Sequence, residues 1–413
     1  MQNPAPSLMG RAGADGDAGM DHVNVVTLGL LLFVACLVAI VTRRLGWPYT
    51  VGLVLAGIGL SLAGYRSGIT LTPALIFTFL LPPLVFEAAL HLKWHRFRER
   101  APLILSLAFI GTLLAMGVVA AGMHWLAGWG WQAALLFGSL IAATDPVAVI
   151  AMMKEQQADP RVRFLLEAES LLNDGAAAVL FGLCAAAIAG APTDAGTIAQ
   201  SLLVTVAGGI ACGLIVAGGL LAVAGRSDDH LVELTLSVLA AYGSFLFAER
   251  LGVSAVLAAV AAGMLVGNAG PGRSLTERGG EALERFWDFA AFLANSIIFL
   301  LIGSREAEQP LGVFIVPAAI AVLLVLLGRA VAVYPIAGLF ARTRQAVDGM
   351  TQHILFWGGL RGALGLALAL AAPRALPEHD ALVSVAFAVV AFSLFVQGVT
   401  TPWLLRRAGR KGG

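Results

Sequence analysis

Charged residues are scarce in this chain, and they make up only 12% of its 413 residues, against roughly 25% in an ordinary soluble domain. The mean hydropathy is +0.87, and a soluble fold of this size would have too little polar surface to cover its core. The net charge of +1 offers no general attraction for nucleic acid. The composition therefore predicts a polytopic membrane protein with the lipid bilayer, and not nucleic acid, as its partner.

Cysteines are few in this chain, and several motifs of enzymes are lacking. The three cysteines, Cys36, Cys184 and Cys212, lie inside apolar runs, where cysteine behaves as a small hydrophobic side chain outside any disulfide or metal framework. No G-x-x-x-x-G-K-[ST] motif is present, which excludes a P-loop for ATP. The apolar runs also lack the G-x-S-G, G-x-G-D and H-E-x-x-H motifs of intramembrane hydrolases. We therefore expect that the protein is not an enzyme and that it binds no cofactor.

The two ends of the chain lie outside its apolar runs. Residues 1–22 are rich in Gly, Ala and Asp and contain no apolar stretch, so they are not a signal peptide. We expect a disordered tail there, or a mis-assigned start upstream of Met20. Residues 406–413 carry four Lys and Arg residues and are predicted to form a short basic cytoplasmic tail at anionic headgroups.

Apolar runs long enough to cross a bilayer fill the region between these ends. About 20 mostly apolar residues span the hydrocarbon as a helix, and marking such runs predicts an all-α membrane domain of 13 helices over 23–405. The predicted spans are 23–42, 47–64, 72–91, 101–124, 131–153, 161–189, 196–225, 230–248, 252–268, 286–304, 311–340, 351–372 and 380–405. The polar segment 272–285 is interpreted as a cytoplasmic loop or a short interfacial helix.

Lysine and arginine fall mainly on one side of this predicted topology. With the N-terminus outside, nineteen of them lie in cytoplasmic segments and five lie outside, while Arg329 and Arg361 fall within spans. Cytoplasmic loops of membrane proteins carry the excess of basic residues, and one missed helix would invert every later segment. We therefore expect the N-terminus outside and the C-terminus in the cytoplasm.

Polar side chains in two columns interrupt the sixth predicted span. Glu169 and Asn173 are spaced i, i+4, and so are Ser170 and Asp174, which places them in two adjacent columns of a helix. A charge at mid-membrane costs about 2.5–3.5 kcal/mol on insertion scales, so these columns should not face lipid. Polar groups can serve only to join helices, but neutral side chains suffice for that, and the two acids therefore indicate a function.

The fifth predicted span contains the sequence IAATDPVAVI at 141–150. Pro146 has no N–H and clashes with the preceding turn, so the helix should break near Thr144 and Asp145. Freed backbone carbonyls are tolerated in a membrane only beside protein or a water-filled cavity. A helix break with an acid at its centre is typical of a substrate site in a secondary transporter. The alternative is a simple kink in which Asp145 pairs with an arginine.

Three further charges lie within predicted spans. Glu87 follows the pair Pro82–Pro83 and either faces the protein interior or reaches the cytoplasmic surface beside Lys93. Arg361 lies in the glycine-rich GGLRGALG, which is loose enough to unwind, and Arg329 is the second cation at depth.

Acids near span ends are interpreted as interfacial: Glu233, Glu249 and Asp288. The four acids at depth outnumber the two arginines by about two negative charges, a surplus that a cation site would need.

Three motifs together resemble the monovalent cation–proton antiporters. They are ATDPVAV at 143–149, ESLLNDG at 169–175 and GGLRGA at 358–363, in this order on the fifth, sixth and twelfth predicted spans. The nearest branch is the prokaryotic NhaP type, which is related to the eukaryotic sodium/proton exchangers. The resemblance covers roughly residues 23–405, and although GGLRG alone is a weak signal, the combination is specific.

The resemblance implies a fold and an activity. The fold consists of two inverted repeats in which the fifth and twelfth spans are broken and cross near mid-membrane, forming a dimerisation domain and a mobile core domain. The implied activity is exchange of Na⁺, with Li⁺ and K⁺ as other candidate ions, for H⁺ by a homodimer in the cell membrane, in the service of pH homeostasis. The long regulatory tail of the eukaryotic exchangers is missing, so calmodulin-type or kinase control is not expected.

Site residues carry over from the family only where its motifs match. The implied cation ligands are Asp174, Ser170, Asp145 with the main chain of Thr144, and Glu87. Further residues would support them. Asn173 matches the branch whose exchange is electroneutral, since the electrogenic branch has a second Asp there. The family's buried ion pair maps to Glu169 with Arg361 or with Arg329.

A mechanism follows from these residues and this resemblance. A small hard cation needs several oxygen ligands in place of its hydration shell, and Asp174 would hold either Na⁺ or a proton. The alternative is a sodium-coupled organic-anion symporter with similar crossed helices. That protein would need an anion pocket, which the surplus of acid disfavours.

Overall fold

The computed structural model describes residues 25–45, 47–65, 69, 71–145, 147–155, 157–225, 229–269, 275–307 and 314–409. Within these ranges the regular secondary structure is helical and no β-strand occurs. The predicted tail over 1–22 lies outside the described residues and stays a prediction. Of the predicted basic tail over 406–413, the first four residues continue the last helix, and the other four lie outside the described residues.

The described residues form 17 α-helical segments. They are α1 (Val25–Leu45), α2 (Tyr49–Leu62), α3 (Leu81–Leu90), α4 (Trp94–Leu105), α5 (Thr112–Ala127), α6 (Trp131–Ala142), α7 (Val147–Glu155), α8 (Pro160–Ile188), α9 (Ala195–Ala224), α10 (His230–Arg250), α11 (Ala255–Gly267), α12 (Glu277–Glu306), α13 (Ile315–Leu339), α14 (Gly349–Trp357), α15 (Ala363–Leu370), α16 (His379–Phe392) and α17 (Val399–Gly409). Three π-helical segments continue them: Leu75–Leu80 leads into α3, Ser106–Gly111 joins α4 to α5, and Ser393–Gly398 joins α16 to α17.

These segments account for the predicted spans. Eight helices in the described ranges are long and apolar enough to cross a membrane. Four shorter apolar helices, Tyr49–Leu62, Leu75–Leu90, Trp131–Ala142 and Ala255–Gly267, match the second, third, fifth and ninth spans. The twelfth span is divided between α14 and α15, and the fifth between α6 and α7. The predicted all-α polytopic fold with two broken spans is therefore confirmed.

The polar segment 272–285 is helical in its second part. α12 begins at Glu277 and runs without interruption to Glu306. The tenth span therefore starts from a polar N-terminal extension, and of the two predicted alternatives the structure supports a helix, continuous with the span, for the residues it describes.

The chain divides into two compact units. The first unit contains Ala74–Glu99 and Ala178–Asn295 among its described residues. Its core contains Phe86 and Trp287, whose ring centroids lie 4.6 Å apart. Small residues such as Ala217 from α9 and Ala241 from α10 complete this core, so the helices of the unit approach one another closely.

Glycines make this close approach possible between α9 and α11. A Cβ added at Gly213 would lie 2.1 Å from the backbone oxygen of Ala258, and one at Gly209 would lie 2.5 Å from that of Ser254. Membrane helices pack through such small residues because lipid provides little hydrophobic driving force between them. The close packing of α9 on α11 therefore requires glycine, which has no side chain, at positions 209 and 213.

Glu233 lies in this first unit and is more deeply buried than its interfacial interpretation implied. It is 1% exposed, and its carboxylate accepts the Thr276 N–H at 2.9 Å and the Thr276 hydroxyl at 3.0 Å. A Cβ at Gly279 would overlap Glu233 Oε2. The carboxylate thus sits against the first turn of α12, where an anion is stabilised by free N–H groups.

The second unit contains the described parts of His22–Pro73, Arg100–Ala177 and Ser296–Gly413. Within it α2 packs on the second half of α12 through reciprocal glycines. A Cβ at Gly57 would lie 2.2 Å from Leu300 O, and a Cβ at Gly303 would lie 2.1 Å from Val54 O. This contact fixes the position of α2, which bears on the site described below.

An aspartate caps the N-terminus of α14, the first half of the broken twelfth span. Asp348 accepts hydrogen bonds from the N–H and the hydroxyl of Thr351. These hydrogen bonds hold the pKa of the Asp348 carboxyl below its ordinary value, so the cap stays ionised at neutral pH. A charged N-cap stabilises the free N–H groups of the first turn.

The glycine contact between α9 and α11 makes a testable prediction. Gly213→Ala should destabilise the protein by about 1–3 kcal/mol, because its Cβ has no room beside the Ala258 carbonyl. Gly219→Ala on the same helix is the matched control, since nothing lies within 4 Å of its added Cβ, and it should be neutral or slightly stabilising. Thermal melts of the detergent-purified variants measure the difference. Equal melting temperatures for the two variants would contradict the packing account.

Candidate functional site

The first broken span separates α6 from α7. α6 ends at Ala142, and Ala143 has extended backbone angles of φ −56° and ψ 138°. Pro146, predicted as the cause of the break, lies outside the described residues. The break frees the last carbonyls of α6, and Nη1 of Arg361 donates to Ala142 O at 2.8 Å and to Ala143 O at 3.1 Å. Arg361 therefore neutralises the negative end of α6.

The second broken span separates α14 from α15. The sequence between them is GGLRG at 358–362, and two of its glycines permit close contacts. A Cβ at Gly359 would lie 2.6 Å from Arg329 Nε, and a Cβ at Gly362 would lie 2.2 Å from Asp145 Oδ2. The predicted unwinding of this segment is confirmed, and its glycines make room for two charged side chains.

The two breaks meet at Asp145. Its N–H donates to Leu360 O at 2.8 Å. Its carboxylate accepts the N–H of Val147, the first residue of α7, at 3.0 Å, and its Oδ2 lies against Gly362, the residue that precedes α15. An anion is stabilised at a helix N-terminus, and Asp145 lies beside two. Within the described residues its hydrogen-bond donor is this backbone N–H and not an arginine.

α8 directs polar side chains at the first break. The Ser170 hydroxyl donates to Thr144 O at 2.6 Å and lies 2.7 Å from the Thr144 hydroxyl oxygen. One turn further along α8, the Asp174 carboxylate lies near the backbone N–H of Thr144. Ser170 and Asp174 therefore lie on one face of α8, as their spacing predicts, and this face contacts the unwound backbone.

Two buried oxygen atoms on α8 have no hydrogen-bond partner within the described part of the chain. They are Oδ1 of Asp174 and Oδ1 of Asn173. The Asn173 amide makes only a long contact of 3.5 Å with Glu169 Oε1. A buried acceptor without a partner costs about 1–3 kcal/mol, and more when it is charged. These atoms are therefore the ones that would gain most from a proton or a cation.

Glu169 and Arg329 form a buried bidentate ion pair. Nη1 of Arg329 lies 2.7 Å from Glu169 Oε1, and Nη2 lies 2.9 Å from Oε2. The same guanidinium donates from Nε and Nη2 to Leu355 O in α14. Of the two arginines that the resemblance allowed as partners, the structure thus pairs Arg329 with Glu169, while Arg361 binds the end of α6.

These residues form one cluster, which we call the polar centre. It consists of Thr144, Asp145, Glu169, Ser170, Asn173, Asp174, Arg329 and Arg361. With every group ionised, its three acids and two arginines leave a surplus of one negative charge. The larger surplus expected from the sequence included Glu87, which belongs to the first unit. One proton or one monovalent cation is enough to neutralise the polar centre.

Glu87 has different neighbours from the other predicted ligands. Its Oε1 lies 3.4 Å from His91 Nδ1, and His91 Nε2 lies 3.6 Å from Asp288 Oδ1. The side chain of Glu87 is 24% exposed. The structure therefore brings together Asp174, Asp145, Ser170 and Thr144, and it places Glu87 in the first unit beside a histidine.

Two residues of the last span support the site and were missed by the sequence analysis. Ser393 Oγ accepts the N–H of Arg361 at 2.8 Å and donates to Gln397 Oε1 at 2.9 Å. Gln397 Nε2 donates to Trp357 O, the last carbonyl of α14, at 3.3 Å. Both residues are buried. Their i, i+4 spacing in an apolar span is the same signal that identified Ser170 and Asp174, and it could have found them.

The ion pair makes a stability prediction. Glu169→Gln should destabilise the protein by about 3–5 kcal/mol, because it leaves the buried charge of Arg329 without a counter-ion. Asp174→Asn is the matched control on the same helix, and it should melt near wild type because it removes a surplus charge. Thermal melts in detergent measure both. The account is wrong if Glu169→Gln melts like wild type, or if Asp174→Asn is equally destabilising.

Known proteins resemble this chain over most of its length. It is 35% identical over 393 residues to the Na⁺/H⁺ antiporter ApNhaP of Aphanothece halophytica, covering 94% of this chain and 75% of that protein. It is 34% identical over 343 residues to the Na⁺/H⁺ antiporter NhaP of Pseudomonas aeruginosa, covering 80% of each. It is 35% identical to the low-affinity Na⁺/H⁺ antiporter NhaS1 of Synechocystis, covering 92% of this chain and 73% of that protein.

The fold and the family are shown by two further comparisons. The sodium proton antiporter MjNhaP1 from Methanocaldococcus jannaschii, solved at pH 8, superimposes with a TM-score of 0.73 at 20% identity, covering 93% of this chain and 98% of that one. This similarity confirms the predicted antiporter fold. The family model described as sodium/hydrogen exchanger, transmembrane, matches residues 30–407. The chain therefore belongs to the sodium/hydrogen exchanger family of membrane proteins.

Proposed function

We propose that this protein exchanges Na⁺ for H⁺ across a membrane by alternating access, with the two ions competing for Asp174. The observation that carries the proposal is the buried Asp174 Oδ1, which has no hydrogen-bond partner in the part of the chain that the structure describes, in a centre with one surplus negative charge. The relatives reported above bear antiporter names, and none of them is a symporter, the alternative considered from the sequence.

The polar centre offers the ligands that an alkali cation prefers. Hard cations take oxygen ligands in place of water. Asp174, Asp145, the Ser170 hydroxyl and the Thr144 carbonyl are the proposed donors, and the first two supply negative charge. Ser170 uses its proton to bind Thr144 O and accepts the proton of the Thr144 hydroxyl with one lone pair, so its second lone pair remains for the cation. Asn173 Oδ1 is a further acceptor beside them.

The charge balance couples the two ion movements. A centre that carries an unneutralised charge is costly to move past an apolar barrier. Either one Na⁺ or one H⁺ removes the surplus charge, and once one of them is bound no surplus charge remains to bind the other. The centre therefore changes sides only when occupied, and one Na⁺ is exchanged for one H⁺ without net charge. The neutral Asn173 beside Asp174 fits this electroneutral stoichiometry, since a second acid there would add a charge.

The remaining features of the proposal come from the sequence and the resemblance. The distribution of Lys and Arg favours an outside N-terminus and a cytoplasmic C-terminus, in a cell membrane. A homodimer and a role in pH homeostasis are what the family resemblance implies. Glu87 remains a proposed cation ligand on the same basis.

The central residue makes a functional prediction. Asp174→Asn should reduce Na⁺-dependent collapse of a pH gradient to the background of protein-free vesicles, because no carboxylate remains for which the ions compete. A pH-sensitive dye in proteoliposomes measures it, with Na⁺, Li⁺ and K⁺ added in turn. Asp380→Asn, which alters an exposed acid at the start of α16, is the control and should exchange normally. Wild-type exchange by Asp174→Asn would refute the mechanism.

A further inference from the structure

Thr50, in the first turn of α2, carries a buried hydroxyl that has no hydrogen-bond partner in the described ranges. The residue is 2% exposed, and its Oγ1 has no partner among the described residues. Threonines in helices commonly donate to the carbonyl one turn earlier, as Thr42 does to Val38 O at 2.7 Å. α2 begins at Tyr49, so no preceding helical turn offers Thr50 such a carbonyl. Its hydroxyl is therefore free to bind something else.

The surroundings of Thr50 are those of the polar centre. A gap too small to hold a water molecule lies in the second unit, and it is lined by Thr50, Asp145, Phe299, Leu360, Arg361 and Leu394. Three of these residues are polar, and Arg361 Nε, like Thr50 Oγ1, is buried without a hydrogen-bond partner among the described residues. A buried hydroxyl is rarely left unpaired, and Thr50 lines a gap that an acid of the polar centre also lines.

The position of α2 is set by packing and not by this hydroxyl. The reciprocal contacts of Gly57 with Leu300 and of Gly303 with Val54 hold α2 against α12. Tyr49, the neighbour of Thr50, lies with its hydroxyl 2.8 Å from Ser296 Oγ. Since the helix is held by other groups, a structural role does not explain why position 50 carries an unpaired polar atom.

We propose that Thr50 is a further ligand and specificity-determining residue for the transported alkali cation, binding through Oγ1 on the side of the centre where Asp145 lies. This inference rests on the proposed function. The hydroxyl oxygen adds a neutral donor to the two carboxylates, which increases the number of oxygen ligands without changing the charge balance. Thr50 therefore affects the affinity and selectivity for the cation, whereas it does not hold the transported proton.

Thr50→Val tests this assignment, because valine keeps the shape of threonine and removes only the hydroxyl. In proteoliposomes the KM for Na⁺ should rise about tenfold, the size expected for one lost polar contact, while kcat stays near wild type. The factor should be the same at every pH, because proton binding is unaffected. Thr50→Ser, which keeps the oxygen, should restore most of the affinity. The order of KM values for Li⁺, Na⁺ and K⁺ should change in Thr50→Val.

Thr42→Val is the matched control. Thr42 is a buried threonine in α1 whose hydroxyl is already bonded within its own helix, so its KM for Na⁺ should match wild type. Na⁺-dependent thermal stabilisation of the purified proteins measures binding without transport, and the half-maximal Na⁺ concentration should rise about tenfold in Thr50→Val alone.

The outcomes separate this inference from the proposed function. If wild-type protein does not exchange Na⁺ for H⁺, the proposed function fails. If wild type exchanges but Thr50→Val keeps the wild-type KM, or if Thr50→Ser is as impaired as Thr50→Val, the assignment of Thr50 is overturned. If Thr50→Val does not fold, Thr50→Ala and Thr50→Ser provide the same comparison of a removed and a retained oxygen.

Discussion

A broken helix inside an apolar region leaves N–H and C=O groups that no helical turn satisfies, and each of them must find a partner. In this protein the two breaks satisfy each other, and the last span supplies further partners to the second break. Arg361 binds the carbonyl end of α6, and Asp145 binds the first N–H of α7 and lies against the start of α15. Ser393 and Gln397 bind the edges of the second break. The site depends on this pairing, because it holds unwound backbone and charged groups together in one place.

The three acids of the polar centre are held in different ways. Glu169 is neutralised by Arg329 in a bidentate pair, which also binds α14, so it stabilises the fold. Asp145 accepts the first N–H of α7 and lies against the start of α15. Asp174 alone has a buried oxygen without a hydrogen-bond partner among the described residues. Asp174 thus remains available to a mobile ion. The three acids and two arginines of the polar centre leave one negative charge in surplus, which this ion neutralises.

Much of this arrangement could be predicted from local sequence patterns. The spacing of Ser170 and Asp174 places both on one face of α8, and the glycines of the twelfth span predict its unwinding. The pairing of Glu169 could not be predicted, because two arginines are available and only the packing of α13 against α14 decides between them. Thr50 gives no signal in the sequence, since its importance comes from a gap formed by residues distant in the chain. Glu233 was assigned to an interface because it lies near a span end, and its burial could not be predicted because it comes from contact with Thr276, more than forty residues away.

The most direct measurement is the number of protons released when Na⁺ binds to the purified protein. Calorimetric titrations in buffers of different ionisation enthalpy provide this number, at a pH low enough for the polar centre to start protonated. The account predicts about one proton released for each Na⁺ bound, since a single surplus charge must always be neutralised. Binding of Na⁺ without proton release, or with release of two protons, would contradict it.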